Sequence, residues 1–203
     1  MKTIQKHKHL ISAYIVSFFA IAFTLLPITW LFMLSIKTKG ETFTKPPKWI
    51  FDPTAQNYIK LWDNDLFKDT FFNSIYITII SIVLSVTIAL FAAYALKIYK
   101  IKFKTAFMQW LLLAYMLPEF LFVLPMFTIY QTIGIYDTYL GMAIIYQVHV
   151  LPFSIWMLRS FLEEIPKEID DAAIIDGCGP IQAIFKIYLP LIIPGIVATA
   201  ILN

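Results

Sequence analysis

The sequence predicts an all-α, polytopic membrane protein, and three observations carry that prediction. Of 203 residues, 60% are hydrophobic and the mean hydropathy is +0.75, more apolar surface than a soluble domain of this size can hide. The apolar residues gather in long uncharged runs, at 10–36 and 70–96 among others, each longer than the about 20 residues that cross a bilayer as a helix. The charges, lysines above all, are confined to short stretches between the runs.

The elements follow in chain order. Residues 1–9 carry Lys2, Lys6 and Lys8. The run at 10–36 far exceeds a secretory apolar core of about 7–15 residues, and no small-x-small cleavage site follows it, so it reads as an uncleaved first span. Residues 37–69 are polar, with Pro46, Pro47 and Pro53 as turn makers. Within them Tyr58, Ile59, Trp62, Leu66 and Phe67 suit a short interfacial helix. The second span, 70–96, is followed by Lys97, Lys100, Lys102 and Lys104. The third, 105–131, contains Pro118, Glu119 and Pro125. Residues 133–138 make a turn, and 139–158 is the fourth span, with Pro152 near its end. A charged loop occupies 159–188. From Leu189 a fifth span begins; its fifteen residues to Asn203 make about 22 Å of straight helix at 1.5 Å per residue, short of the about 30 Å hydrocarbon core. Five spans are thus visible, the fifth incomplete.

The loop at 159–188 has its own order. Acidic residues come first: Glu163, Glu164, Glu168, Asp170, Asp171 and Asp176. Pro166 suits the first position of a helix, where a missing N–H costs nothing. Ile169, Ala172 and Ala173 then fall on one helical face. Gly177 stops that helix in a left-handed conformation that needs no Cβ. Pro180 starts another, with Ile181, Ile184, Phe185 and Tyr188 sharing a face. A short helix, a turn and a second helix, with small alanines on an apolar face and an acidic rim, make an object shaped to dock against another protein.

Asp171-Ala172-Ala173, Asp176-Gly177-Cys178, Phe185, Leu189-Pro190-Leu191 and Pro194 resemble the cytoplasmic signature of the integral-membrane permease subunits of binding-protein-dependent ABC importers. That signature runs Glu-Ala-Ala, two residues, Asp-Gly-Ala, then Phe, Leu-Pro-Leu and Pro. Asp171 here stands for Glu, and Cys178 for a small Ala. Asn73-Ser74, Ala93-Tyr94-Ala95-Leu96, Met116-Leu117-Pro118, Leu124-Pro125, Gly134-Ile135-Tyr136-Asp137-Thr138-Tyr139, Leu151-Pro152-Phe153, Ser160-Phe161 and Ile165-Pro166 look like the carbohydrate branch, the maltose-type second permease. The resemblance covers most of the chain after the first span.

What it implies is a single permease domain over 1–203, C-terminally incomplete against the family's six spans, with 159–188 as its cytoplasmic ATPase-docking loop. The docking residues it implies are Asp171, Ala172, Ala173, Asp176, Gly177, Phe185 and Pro190. The implied partners are a second permease subunit in a heterodimer, two ATP-binding cassette subunits, an extracytoplasmic solute-binding protein and membrane lipid. Sugar or sugar-derivative uptake by alternating access in a bacterial cell membrane is the implied function. A helix that ends inside the bilayer leaves costly unpaired carbonyls, and from that a weakly functional product is expected of these residues alone.

The residues exclude other chemistry. None of the six glycines is followed by Lys, so no phosphate-cradling loop is present. No nucleophile or zinc-protease motif occurs, and no catalytic residue or cofactor is expected; ATP would be bound by partner subunits. His7, His9 and His149 show no metal-site spacing, and His149 reads first as a packed histidine. The single cysteine, Cys178, permits no internal disulfide. A net charge of +3, spread along the chain, gives no reason to expect a nucleic-acid partner.

Glu119 is the only acid within a span, where insertion costs roughly 3 kcal/mol. Beside the Pro118 break it either lines a translocation path or sits protonated or near an interface. Two other functions stay open: a gradient-driven secondary carrier with Glu119 as its proton site, or a non-transport scaffold. Lysines in short loops set orientation. The basic N-terminus and the 97–104 cluster place the N-terminus in the cytoplasm, although six lysines lie in the outer loop at 37–68.

Overall fold

A computed structural model describes residues 2–118 and 120–203, with side chains from 13 onward. Every regular element among these residues is helical. Three helices are long and apolar enough to cross a membrane, and the number rises to five if each of two bent helix pairs is one span. The chain divides into two compact units, residues 1–71 and 72–203.

In the first unit, α1 (Lys2–Ser35) is a continuous helix through Pro27, and its large apolar side chains from Tyr14 to Phe32, Trp30 apart, are exposed, as a lipid-facing span requires. Thr38 caps the single turn α2 (Lys39–Thr42): its Oγ1 accepts from the Glu41 N–H and donates to Glu41 Oε2, a local pairing of the capping-box type. Between α1 and α3 (Gln56–Trp62) the chain folds around one lysine. Lys37 is 2% exposed. Its Nζ donates to the Lys48 carbonyl at 2.5 Å and lies 5.4 Å from the Trp30 ring and 4.6 Å from the Phe51 ring. Asn57 Nδ2 donates to the carbonyls of Ser35 and Lys37, which ties α3 to the end of α1.

The interfacial helix expected from Tyr58 to Phe67 is two pieces. Trp62 ends α3; Asn64 Oδ1 accepts from the Phe67 N–H, an N-cap that starts α4 (Asp65–Ile98). The Trp62, Phe67 and Phe71 rings cluster there at 5.7–6.3 Å.

The second unit holds most of α4 and everything after it. Ser81, Ser85, Ala89 and Ala93 recur every fourth residue on α4 and are all buried. Small residues in that register let helices approach closely where lipid supplies no hydrophobic drive. Helix α5 (Lys104–Met116) packs on α7 (Tyr139–Glu163), with Tyr115 stacked on His149 at 4.6 Å and Phe153 at 5.7 Å. Leu158, Leu162, Leu90, Tyr94, Leu111 and Ile184 join one core cluster with the α4 alanines. Thr138 caps α7 by accepting from the Gly141 N–H at 3.0 Å.

The third span is broken. Leu117 is extended (φ −69°, ψ 135°), as the residue before Pro118 must tend to be, and α6 (Phe120–Ile133) resumes beyond it. Pro125 sits within α6 without ending it. Glu119 lies outside the described residues. Pro152 likewise does not end α7, which runs on to Glu163, five residues past the end expected at 158.

The fifth span is also not the straight helix expected from Leu189. Helix α8 (Lys167–Ile175) and α9 (Pro180–Ala183) lead into a π-helical turn, Ile184–Tyr188, then α10 (Leu189–Leu191) and α11 (Ile193–Leu202). The axis turns by 77° between 180–191 and 193–202. Pro190 and Pro194 each lack the N–H that would bond one turn back, so the winding loosens before the first and breaks before the second. The about 22 Å of straight helix is therefore divided at Ile192. On α11, Gly195 meets the Phe161 ring so closely that a Cβ would stand 2.4 Å from Cγ.

Candidate functional site

The loop at 159–188 starts on the last turn of α7. Arg159 reaches Glu163 one turn on, at 2.7 and 3.0 Å, and Lys104 approaches the same carboxylate at 3.5 Å. Pro166 then serves as the N-cap of α8 (φ −59°, ψ 146°) rather than its first helical residue. The end of α8 is a Schellman motif. Cys178 N–H donates to the Ala173 carbonyl at 2.9 Å, and Gly177 N–H to the Ile174 carbonyl at 3.0 Å. Gly177 takes φ +71°, as its sequence position requires. Gly179 caps α9, and Pro180 fills the first turn.

The apolar face expected to dock is rotated. Ile169 and Ala172 are exposed, but Ala173 is the one buried residue of the helix, turned in with Asp170 beside it. Asp170 explains the rotation. Its Oδ1 lies 3.0 Å from Lys97 Nζ, with the side chains 8% (Lys97) and 18% (Asp170) exposed, and it also accepts a hydrogen bond from the Tyr188 hydroxyl. Lys97 Nζ donates as well to the Ile165 carbonyl at 3.2 Å and lies 5.0 Å from the Tyr188 ring. Tyr94 meets that ring edge-on at 5.1 Å. A charge pair with two further hydrogen bonds outweighs the burial of one alanine methyl and an isoleucine half left in water.

The second expected face is split as well. Ile184 and Tyr188 are buried, whereas Ile181 and Phe185 are exposed, so only the i, i+4 pair of that face turns inward, with the Tyr188 hydroxyl held by Asp170. Phe185 keeps an edge contact with Phe91 at 6.3 Å.

Of the residues the sequence marked, Asp171, Ala172, Asp176, Gly177, Phe185 and Pro190 therefore lie exposed, and Ala173 is buried beneath them. Ile174 and Ile175, unmarked by the sequence, are 73% and 84% exposed and add an apolar ridge beside Asp171 and Asp176. Behind α8 lies a cleft of about 610 Å³ lined by Lys97, Lys100, Lys104, Lys167, Asp171 and Tyr188, among others. Sequence reasoning missed Lys97, Asp170 and Tyr188. The one signal available was Asp170 three residues before Ala173, on the same face.

A second polar group lies within the helices. Asn203 donates to Ser85 Oγ at 3.2 Å and to Ser154 Oγ at 2.9 Å, and Gln147 donates to the carbonyls of Ser81 and Ala143. A cavity of about 330 Å³ lined by Ala114, Phe122, Tyr146, His149 and Asn203 lies nearby. Pro118 is exposed at the α5–α6 break.

Residues 85–203, which include the whole loop, match the family described as the binding-protein-dependent transport system inner membrane component. The trehalose transport system permease protein SugB of Mycobacterium tuberculosis is 37% identical over 183 residues, 90% of this chain and 66% of that protein. The sulfoquinovosyl glycerol transport system permease protein SmoH of Agrobacterium fabrum is 32% identical over 88% of this chain and 63% of its own length. The arabinooligosaccharides transport system permease protein AraQ of Halalkalibacterium halodurans is 33% identical over 93% of this chain and 68% of its own. The chain thus spans just under two thirds of the first two of these relatives. On the family match and this identity, the chain belongs to the binding-protein-dependent transport system inner membrane components.

Proposed function

We propose that the chain is a permease subunit of an ATP-driven importer, paired with a second permease to form a path for a sugar or sugar derivative. The carrying observation is the outward face of α8. Asp171, Ala172, Asp176 and Gly177 stand exposed with the Ile174–Ile175 ridge on a helix closed at its C-terminus by the Gly177 turn. Such a face fits a cleft in an ATPase subunit, and nucleotide-driven movement of that cleft would carry α8 and the spans attached to it. The printed names of the relatives, which include trehalose, sulfoquinovosyl glycerol and arabinooligosaccharides, support a glycoside substrate. An extracytoplasmic binding protein would deliver it. Pro118 and Glu119 are proposed to border the path.

In this reading the loop is cytoplasmic, and so is the N-terminus. Single cysteines at Asp52 and Lys102, in a Cys178→Ser background, test the orientation: an impermeant thiol reagent on intact cells labels position 52 and spares 102. The reverse pattern overturns the docking reading.

The main experiment is uptake of radiolabelled trehalose, diacetylchitobiose and arabinotriose, together with co-purification of a phosphate-loop ATPase identified by its peptides. Gly177→Asp puts a second carboxylate beside Asp176 at the tip of the turn. If the turn enters a cleft, the buried unpaired charge costs several kcal/mol, on the order of 3–5, and ATPase association and uptake are both lost while membrane insertion survives. Full association and uptake in this variant would overturn the proposal. Uptake that collapses with a protonophore at constant ATP would instead favour a gradient-driven carrier.

A further inference from the structure

Helix α8 is held to the rest of its unit by little apolar packing. Ala173 is its only buried residue, and a cleft of about 610 Å³ opens behind it. Both of its ends are joints where continuous helix stops: Ile165–Pro166 on one side, and Gly177 at φ +71° with Gly179 on the other. A helix between two such joints transmits little displacement unless something fixes it.

We propose that Lys97, Asp170 and Tyr188 are that fixture: positioning residues that make α8 move as one body with the end of α4 and with the segment leading into α11. The inference rests on the docking reading above and adds the means by which docking becomes movement of the spans. The geometry supports it at each joint. Lys97, on the last turn of α4, holds Asp170 at 3.0 Å and the Ile165 carbonyl at 3.2 Å, so one ammonium fixes both the helix and its N-terminal joint. Tyr188 donates to the same carboxylate from the π turn, so the carboxylate links α8 forward to α10 and α11. The ring of Tyr188 also lies on Lys97 and against Tyr94, which closes the set. None of these three residues lies on the exposed face of α8 that carries Asp171, Ala172, Asp176 and Gly177.

Removing the fixture should therefore uncouple without undocking. In the assembled transporter, Asp170→Asn keeps ATPase association at the native level, while sugar taken up per ATP hydrolysed falls by about tenfold, within the usual range of coupling between sites. The exchange of Lys97→Asp with Asp170→Lys restores part of the ratio, because the charge pair is rebuilt in reverse while the bonds to the Ile165 carbonyl and from Tyr188 are not. A role in folding alone would lower uptake, hydrolysis and chain level together and leave the ratio unmoved; that result overturns the proposal, as does loss of ATPase association in Asp170→Asn.

A second measurement needs no partner. Spin labels at Ile175 and Lys100, in the full chain with Cys178→Ser in lipid vesicles, report the distance between α8 and the end of α4. The native distribution is single and narrow, Asp170→Asn broadens it, and the exchange narrows it again. An unchanged width in Asp170→Asn overturns the fixture whatever happens to transport. Should Gly177→Asp leave ATPase binding intact while Asp170→Asn broadens the distribution, the docking reading falls and the mechanical tie remains.

Discussion

Among the described residues two lysines are withdrawn from water, one in each unit, and they are held differently. Lys37 rests on a carbonyl and the faces of Trp30 and Phe51, and no carboxylate pairs with it among the described residues. Lys97 rests on a carbonyl and one ring, and adds a carboxylate. Aromatic faces attract a cation without fixing its direction closely, so the Lys37 site gathers a loop around a post. A carboxylate that is itself bonded to a tyrosine fixes direction, so the Lys97 site ties three elements at set angles. The first arrangement suits a segment that has only to keep its shape. The second suits one through which force passes.

The largest effect should come from turning one kind of site into the other. Asp170→Ala leaves Lys97 with a carbonyl and a ring but with neither the carboxylate nor a second aromatic face. Stranding a buried charge costs about 3–5 kcal/mol, and unfolding of the purified chain in denaturing detergent should show a loss of that order. Lys37→Met strands nothing charged and keeps the packed stem, so the expected loss is smaller, about 1.5–3 kcal/mol, the worth of one charged hydrogen bond. Equal losses in the two variants would mean that ring and carbonyl suffice at both sites, and the contrast would collapse.

Next in size is the turn that closes α8. Gly177 meets nothing within 4 Å of an added Cβ, so Gly177→Ala is limited to the cost of a left-handed backbone, about 1 kcal/mol. It should leave the Lys97 tie intact, and the Ile175–Lys100 label distance unchanged, while weakening ATPase association modestly. A larger stability loss from Gly177→Ala than from Asp170→Ala would show that the turn, and not the ion pair, fixes α8.

Much of this was legible in the chain. The span regions, the Gly177 stop and the Pro180 restart follow from local rules, because composition and backbone freedom decide them residue by residue. The inward face of α8 did not follow. Periodicity put Ile169, Ala172 and Ala173 on one docking face, yet Ala173 turns in with Asp170, because Lys97 lies seventy-odd residues earlier in the chain and no local pattern pairs the two. The split of Ile184 and Tyr188 from Ile181 and Phe185 was hidden for a related reason. The carboxylate that holds the Tyr188 hydroxyl belongs to Asp170 on another helix, and no period within one helix names it. The lysine cage was hidden as well, since Lys37 is one of six lysines in a polar stretch, and only its place beside Trp30 and Phe51 sets it apart.

The smallest effect is expected where the same charges meet in the open. Glu163 accepts from Arg159 one turn away and approaches Lys104, close to Asp170 in sequence and alike in chemistry, yet its side chain is 46% exposed. Water already solvates such a carboxylate, and the pair forms within one helix, so Glu163→Gln should cost only about 0.3–0.5 kcal/mol. It should cost still less as salt rises, because added ions weaken the attraction between solvent-exposed charges far more than between buried ones. The Asp170–Lys97 pair is shielded from that screening, and its loss should be nearly independent of salt. Unfolding of the two variants across a salt series therefore separates the classes directly: a sloping difference for Glu163→Gln and a flat one for Asp170→Asn. If both slope alike, Asp170 is as wet as Glu163, and its pairing with Lys97 does not hold α8 in place.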